Sequence, residues 1–411
     1  MRKIVSIGLI IFGMYAFCLH AQTQSATLSM ADTGAYSIVE RSDWRRFDNG
    51  RYVGLVDQEV RANILPKQME ASNTGFLFQG NFFVLQNTTR EARQAARAID
   101  AVIPVSFELR QNGAMIIEND QGFPRLRGFP AFPSRPVRVG ERWQAPGSRA
   151  ADPLNTGNPL IIPFVAEYEY RGTEMYMDTL VHRIHAGYAS RYQGPATNGT
   201  AAVPANDINR VQGNHSVDIL IRAADGLPVF MRDTLDVTYT MADGSTIRFA
   251  GFTLTFGQGI VPMDRGQVIT TLGNTLTPPP EVSRNIEIPG IDIAPVPEGI
   301  RLTIRDIRFL PDSAEFLPEE RYRLDLIAEA LKQIPDRSFL VDGHTASVGR
   351  PAGEMDLSIE RARRMVDELV NRGLRADRFI YKGWGGTRPV DDNSTDSGRN
   401  NNRRVEITIL E

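Results

Sequence analysis

The stretch VDGHTASVGRPAGEMDLSIERAR, residues 341–363, decides the reading of the last part of this chain. It changes character twice. SFLVDGH, residues 338–344, is a short apolar run of strand type. A loop of small and polar residues follows. From Asp356 onward, DLSIERARRMVDELVNRG puts Leu357, Ile359, Ala362, Met365, Val366 and Leu369 on one helical stripe. Asp356 is the expected cap of that helix, and Gly373 falls where it should stop. Arg361 lies off the apolar stripe and is therefore available to face a pocket.

The same alternation of element types extends outward. RLTIRDIRF, residues 301–309, reads as a strand. LPEERYRLDLIAEALKQIPD, residues 317–336, sets Tyr322, Leu326, Ile327, Ala330, Leu331 and Ile334 on one helical face. RFIYKGWG and RRVEITIL read as two further strands. The predicted order is βαβαββ on a compact mixed sheet over residues 300–411. Upstream, residues 271–299 carry many prolines and little periodicity, and read as a semi-rigid linker.

Five short motifs in this region occur in a fixed order. They are Phe309 with PDSAEF (311–316), GHT (343–345) with Gly349, LSIERA (357–362), GWGGTRPV (383–390) and GRNNNRRVEI (398–407). Together they resemble the OmpA-like peptidoglycan-binding domain. The resemblance implies a pocket for the diaminopimelate side chain of a peptidoglycan stem peptide. Such a ligand needs an acceptor for its ammonium and a forked donor for its carboxylate. Arg361 stands where the family has the Arg that takes the carboxylate. Ala346 stands where the family has the Asp that takes the ammonium, and Glu354 where it has an Asn. Thr345, Gly349 and Arg404 complete the candidate set.

Loss of one charge-assisted hydrogen bond costs about 1.5–3 kcal/mol, or roughly ten- to a hundred-fold in affinity. Three readings stay open. Glu354 replaces the missing carboxylate. The ligand is a different, ornithine-type stem peptide, although that should spare the Asp rather than the Arg. Or the pocket is vestigial and the domain docks a protein. The structural alternatives are as plain: Arg361 paired with Asp356, Glu360 or Glu354 on a solvated face, His344 as a hydrogen-bonding residue under the loop, Arg403 and Arg404 tying the last strand down, Asn402 holding a turn, and Asp312 in a turn or cap.

The other end carries an export signal. Arg2 and Lys3 precede the uncharged apolar run of residues 4–17, which is too short to span a bilayer comfortably. Cleavage after Ala21 is expected, making residues 1–21 a signal peptide and 22–33 a flexible leader. Cys18 is the only cysteine, and the large Tyr15 and Phe17 ahead of it argue against a lipoprotein signal. Residues 34–270 are β-rich, read as a sandwich or a partial barrel. HSVDILIR (215–222), TLDVTYTMADGSTIRFAGFTLTF (234–256, a hairpin at Asp243-Gly244) and FVAEYEYRG (164–172) alternate as strands. A helix is expected over 89–102, and a long ordered loop or subdomain break near 123–163.

Charge is nearly balanced, at net −3 from 46 basic and 49 acidic residues, which argues against a nucleic-acid partner. No catalytic motif, phosphate loop or dinucleotide turn appears. His182 and His185, three apart on a strand, point to opposite faces, so neither a metal site nor any cofactor is expected. The fold class is α+β: a β-rich N-terminal region and a C-terminal βαβαββ domain. The expected role is non-enzymatic: an exported periplasmic or outer-membrane-associated protein tethering an envelope assembly to peptidoglycan. The alternatives are a scaffold for other envelope proteins, and a transmembrane β-barrel; the charges at Asp218, Arg222, Asp236 and Arg248 speak against the barrel.

Overall fold

Strict period-two alternation builds the first half. A computed structural model describes residues 25–31, 34–67, 75–87, 97–194, 208–276, 290–305, 307–310 and 313–411. The expected signal peptide with Cys18, Asp312 and residues 89–96 of the expected helix lie outside the described residues. In chain order the strands are β1 (Tyr36–Asp48), β2 (Arg51–Pro66), β3 (Gly75–Asn87), β4 (Arg97–Ala98), β5 (Ala101–Arg110), β6 (Met115–Ile117), β7 (Leu126–Arg127), β8 (Arg142–Ala151), β9 (Leu160–Tyr176), β10 (Thr179–Gln193), β11 (Ile208–Arg222), β12 (Pro228–Met241) and β13 (Thr246–Gly259). All but β4 form one antiparallel, nearly closed sheet of twelve strands, in the order β6-β5-β3-β2-β1-β13-β12-β11-β10-β9-β8-β7. This is the partial barrel of the two architectures expected. Asn49 and Gly50 both take positive φ in the β1–β2 turn, the geometry that matches strand twist in a two-residue hairpin loop.

One face of every strand points inward. Tyr36, Phe78, Phe107, Phe129, Tyr168, Ile184 and Ile219 fill one end of the interior. Val56, Ile162, Leu235, Val237, Tyr239 and Phe249 line the other. The outer face is charged. Arg142 bridges Glu167 and Glu169 at 3.3 and 2.9 Å, Arg248 pairs with Asp236 at 2.6 Å, and His185 meets Asp218 at 3.1 Å. Arginine on a lipid-facing strand costs about 2–4 kcal/mol at mid-bilayer, so this apolar-in, charged-out arrangement is the inverse of a membrane barrel.

Several sequence expectations change. The described part of the leader is not flexible: Ala26 bridges to Val137, and Leu28 and Met30 are buried. Its apolar side chains close one end of the interior. Residues 97–98 and 101–102 are extended rather than helical; their alanines and β-branched neighbours serve sheet edges as well as a helix. The 123–163 stretch is no joint. Residues 123–137 pack Phe123, Phe129 and Phe132 into the core, and β8 follows within it.

The second half adds α1 (Arg265–Leu276), β14 (Ile291–Val296), β15 (Gly299–Arg305), α2 (Arg321–Lys332), β16 (Phe339–Gly343), α3 (Pro351–Asn371), β17 (Phe379–Gly383), α4 (Asp396–Asn402) and β18 (Arg404–Leu410). Its sheet runs β14-β15-β18-β16-β17-β4, with β16 and β17 parallel. Ile300, Leu302, Phe339, Val341, Val405 and Ile407 on the inner face pack under α1, α2 and α3. The expected linker therefore holds structure at both ends. Leu272 and Leu276 of α1 enter this core, and β14 pairs with β15.

The opposite face of the second sheet packs on the outside of the first. Leu340, Ile380 and Leu410 meet Phe83, Leu85 and Ile99. Around this layer, Asn63 donates to the main-chain oxygen of Glu411 and Arg61 to that of Asp377. The Glu411 side chain accepts from Met263 N and pairs with Arg265 at 3.0 Å. Leu85 is 1% exposed, so Leu85→Ala should cost about 2–5 kcal/mol. Calorimetry should show the wild type melting in one transition, with the variant melting earlier and splitting into two. An unchanged midpoint, or two transitions already in the wild type, would break the picture of a shared core.

Candidate functional site

Gly343 ends β16 where α3 crosses closest. A Cβ there would sit 2.1 Å from Ser358 O, so only glycine lets the helix approach. The loop that follows is pinned through its backbone. His344 N donates to Arg404 O at 3.0 Å, and Thr345 N to Gly385 O at 3.0 Å. Ser358 Oγ accepts from Gly385 N at 2.8 Å, and Asn402, fully buried, accepts from Val390 N and Asp391 N. Asn402 holds the turn expected of it. His344 is buried 3.7 Å from Glu406, under the loop and off the cleft.

Helix α3 starts five residues before the expected cap. Pro351 takes the first helical position, where its missing N–H costs nothing. Glu354 accepts from Val348 N at 2.7 Å and Arg350 N at 3.0 Å, drawing the loop onto the helix start. Asp356 is thus not a cap but an exposed residue one turn further on.

Loop, α3, residues 307–310 and Leu317 line an open cleft of about 930 Å³. Thr345, Ala346, Glu354 and Arg361 of the candidate set line it, with Phe309, Asp356, Glu360, Asn400 and Arg403. Arg361 is 7% exposed. Its guanidinium lies 4.5 Å over the Phe309 ring and its Nε donates to Ser313 O at 3.2 Å. Phe309 in turn stacks on Phe316 at 4.5 Å. Ala346 is buried and contributes a methyl where an acceptor was expected.

Two candidates fall elsewhere. Gly349 sits exposed at the loop tip with φ +85°, off the cleft wall. Arg404 turns away, pairing with Glu406 at 2.7 Å and donating to Arg388 O at 3.2 Å. Strand alternation explains it: Arg404 and Glu406 share one face of β18. Arg403, at the end of α4, is the arginine that reaches the cleft. The pair in NNNRRV looked interchangeable only because α4 was not read from the sequence.

Beneath the site, Trp384 Nε1 donates to Asp342 Oδ1 at 2.7 Å. Burial, with the charge of Glu406 added, pushes the Asp342 carboxyl up to about 6 despite that bond. A raised carboxyl pKa means the folded state holds its proton more tightly. Stability from this group is full below its ordinary value and falls as pH rises to about 6. Asp342→Asn keeps the acceptor and removes the charge. It should abolish that slope and be more stable than wild type above pH 6, by on the order of 2–3 kcal/mol. Chemical denaturation from pH 4 to 8 tests this, and an unchanged slope in the variant would refute it.

The partial barrel hides a second polar group that no local motif announces. Ser190 Oγ lies 3.1 Å from His215 Nε2, His215 Nδ1 3.0 Å from Asp233, and Asp233 2.8 Å from Arg149. The residues come from β8, β10, β11 and β12 and meet only through register. The connectivity is that of a nucleophile, base and orienting acid. Ser190, however, is 1% exposed and off every described cavity wall, so no substrate carbonyl reaches it. His182 and His185 keep separate partners, Tyr170 and Asp218.

A βαβαββ sheet carrying this loop, helix and cleft has the architecture of an OmpA-type domain. Residues 308–403 match the OmpA family. Outer membrane protein A of Bordetella avium is 34% identical over 133 residues, a match covering 30% of this chain and 69% of that one. The chain belongs to the OmpA family. It is also similar to the peptidoglycan-binding protein ArfA of Mycobacterium tuberculosis, at 36% identity over 103 residues, or 25% of this chain and 32% of that protein. The chain thus spans only about a third of the length of such curated relatives. Among solved structures, the cell wall anchor of the T6SS from Pseudomonas aeruginosa is similar at 28% identity, covering 36% of this chain and 99% of that one, with a TM-score of 0.29.

Proposed function

We propose that this chain is a non-enzymatic envelope anchor whose cleft binds a peptidoglycan stem peptide. The observation that carries the reading is Arg361. It is a nearly buried guanidinium braced on Phe309 at the wall of an open cleft. A cation in such a place favours an anionic guest with planar geometry, and a carboxylate fits. Arg403 adds a second donor on the same cleft. Relatives named for peptidoglycan binding and outer-membrane residence support the assignment.

The ammonium of the ligand then needs an acceptor other than Ala346. Glu354 was the expected stand-in, but one of its oxygens is occupied by two loop amides. Asp356 and Glu360, exposed on the cleft side of α3 and flanking Arg361 in sequence, take that role in our reading. The chain would thereby hold the partial barrel, and whatever envelope protein or outer-membrane assembly it contacts, against the wall from the periplasmic side.

A pulldown of the full chain with isolated peptidoglycan tests this. Wild type should bind. Arg361→Ala should weaken binding roughly ten- to a hundred-fold, and Asp356→Asn with Glu360→Gln should weaken it as well. Ala346 favours one rival reading, a protein scaffold with a silent cleft. In that case wild type would fail to bind and Ala346→Asp would restore it.

A further inference from the structure

The partial barrel contains a cavity of about 130 Å³ at the end of its interior opposite the main core. The apolar part of its lining is Trp44, Val56, Leu235, Val237, Tyr239 and Phe249, and the polar part includes Gln58, Asp152 and His215. Its lining also includes three arginines, Arg46, Arg125 and Arg149. Where such a charge is removed from water it requires a partner.

Arg46 is paired with Asp48 at 2.8 Å, and the other two differ in that respect. Arg149 is satisfied by Asp233 at 2.8 Å and by the Tyr188 hydroxyl at 2.8 Å. The Ser190–His215–Asp233 chain described above fixes this carboxylate, so it serves to hold Arg149 in place. Arg125 has no such ion pair. It donates to the neutral Gln58 amide and lies 6.0 Å from the Trp44 ring and 5.1 Å from the Phe123 ring. Glu40 and Asp152 are the carboxylates whose charge reaches it, and neither comes within 4.0 Å. Asp152 is occupied by the amides of Thr156 and Gly157. The indole N–H of Trp44 also lacks an acceptor. Donor capacity on Arg125 and Trp44 therefore exceeds the acceptors in direct contact with them at this one place.

We infer that this cavity is a binding site for a small organic anion with an aromatic or branched apolar body, its carboxylate held by Arg125 and its body against Trp44, Tyr239 and Phe249. Size agrees with that class, since an apolar cavity of about 150 Å³ accommodates a benzene ring. The site is independent of the peptidoglycan cleft, which lies in the other sheet's domain. It gives the partial barrel a ligand-binding role rather than that of a spacer.

Benzoate is the probe, with benzamide as its neutral isostere, titrated into the full chain and followed by tryptophan fluorescence and thermal midpoint. Benzoate should give a saturable fluorescence change and raise the midpoint. Trp44→Phe should remove most of the fluorescence change while leaving the rise in midpoint. Benzamide should bind at least roughly ten-fold more weakly, the loss expected for one charge-assisted bond. Arg125→Gln should weaken benzoate by a similar factor, and Arg125→Lys should recover part of it. If Arg125→Gln fails to fold, the benzoate–benzamide comparison on the wild type still decides. No saturable response to millimolar benzoate, equal binding of benzamide, or benzoate affinity unchanged in Arg125→Gln would overturn the inference.

Discussion

The arrangement of this molecule depends on one apolar layer, in which Leu340, Ile380 and Leu410 on the back of one sheet meet Phe83, Leu85 and Ile99 on the outside of another. An OmpA-like sheet could bury one face under its helices and leave the other to water. Here both faces are covered. Burial of about six large apolar side chains removes the option of a freely swinging domain, because each contributes roughly 1.5–3 kcal/mol when withdrawn from water. The last residue reinforces the seam. Glu411 bonds to the chain at Met263 and Arg265, and Asn63 reaches its main-chain oxygen. The cleft around Arg361 is therefore presented at a set orientation to the partial barrel. A load on one is carried to the other through packed side chains rather than through an extended connector.

How much of this could be read in the sequence follows from how local each signal is. The βαβαββ order rests on patterns a few residues long and survives in the structure, and Arg361 is found on the cleft wall. The barrel strands were visible where alternation was strict, as in β9 and β12. What failed was non-local. Proline density at 275–299 suggested a linker, yet Leu272 and Leu276 are drawn into the second core and β14 adds an edge strand. The start of α3 was placed at Asp356 because Asp is a good cap, while the actual start uses Pro351 and the reach of Glu354 back to the loop amides. Arg404 was preferred over Arg403 for want of the short helix α4, which rotates the second arginine into the sheet. The seam itself left no trace: Phe83 and Leu85 carry no pattern that sets them apart, and Ile99 falls in the expected helix over 89–102, until their partners far along the chain are known.

The polar band inside the barrel shows the same limit in another form. Ser42, Glu40, Ser190, His215, Asp233 and Arg149 lie on inward-facing positions of five strands, where alternation alone expects hydrocarbon. Each would be costly if isolated, since an unmet buried polar group costs about 1–3 kcal/mol. They are tolerated because register brings them together: Ser42 Oγ meets Thr253 Oγ1 at 3.0 Å, and His215 bridges Ser190 and Asp233. Burial would push Asp233 up, but Arg149 and His215 hold it below its ordinary range, so the carboxylate stays charged. Burial, with the charge of Arg149 added, lowers His215 despite Asp233 and keeps its ring the neutral link of the chain. The band separates a solid aromatic core from the end that opens into a cavity, and it marks where packing stops being the only constraint on the strands.

Ala346 bears on how far a family resemblance reaches. Replacing a carboxylate by a methyl removes an acceptor, but it also removes an anion that would stand near Glu354, Asp356 and Glu360 on the same cleft. Carboxylates crowded together raise each other's pKa and weaken the very charge the ligand needs. Four arginines line the cleft, Arg308, Arg350, Arg361 and Arg403. With Ala346 the acids that face them are three, one of them bound to loop amides. The substitution therefore moves the negative charge from the loop to the helix, and the electrostatic complement of a zwitterion is kept with its acidic end displaced along α3. On that argument the module's ligand chemistry is set by the sum of the charges around the cleft, and no single motif position decides whether it binds.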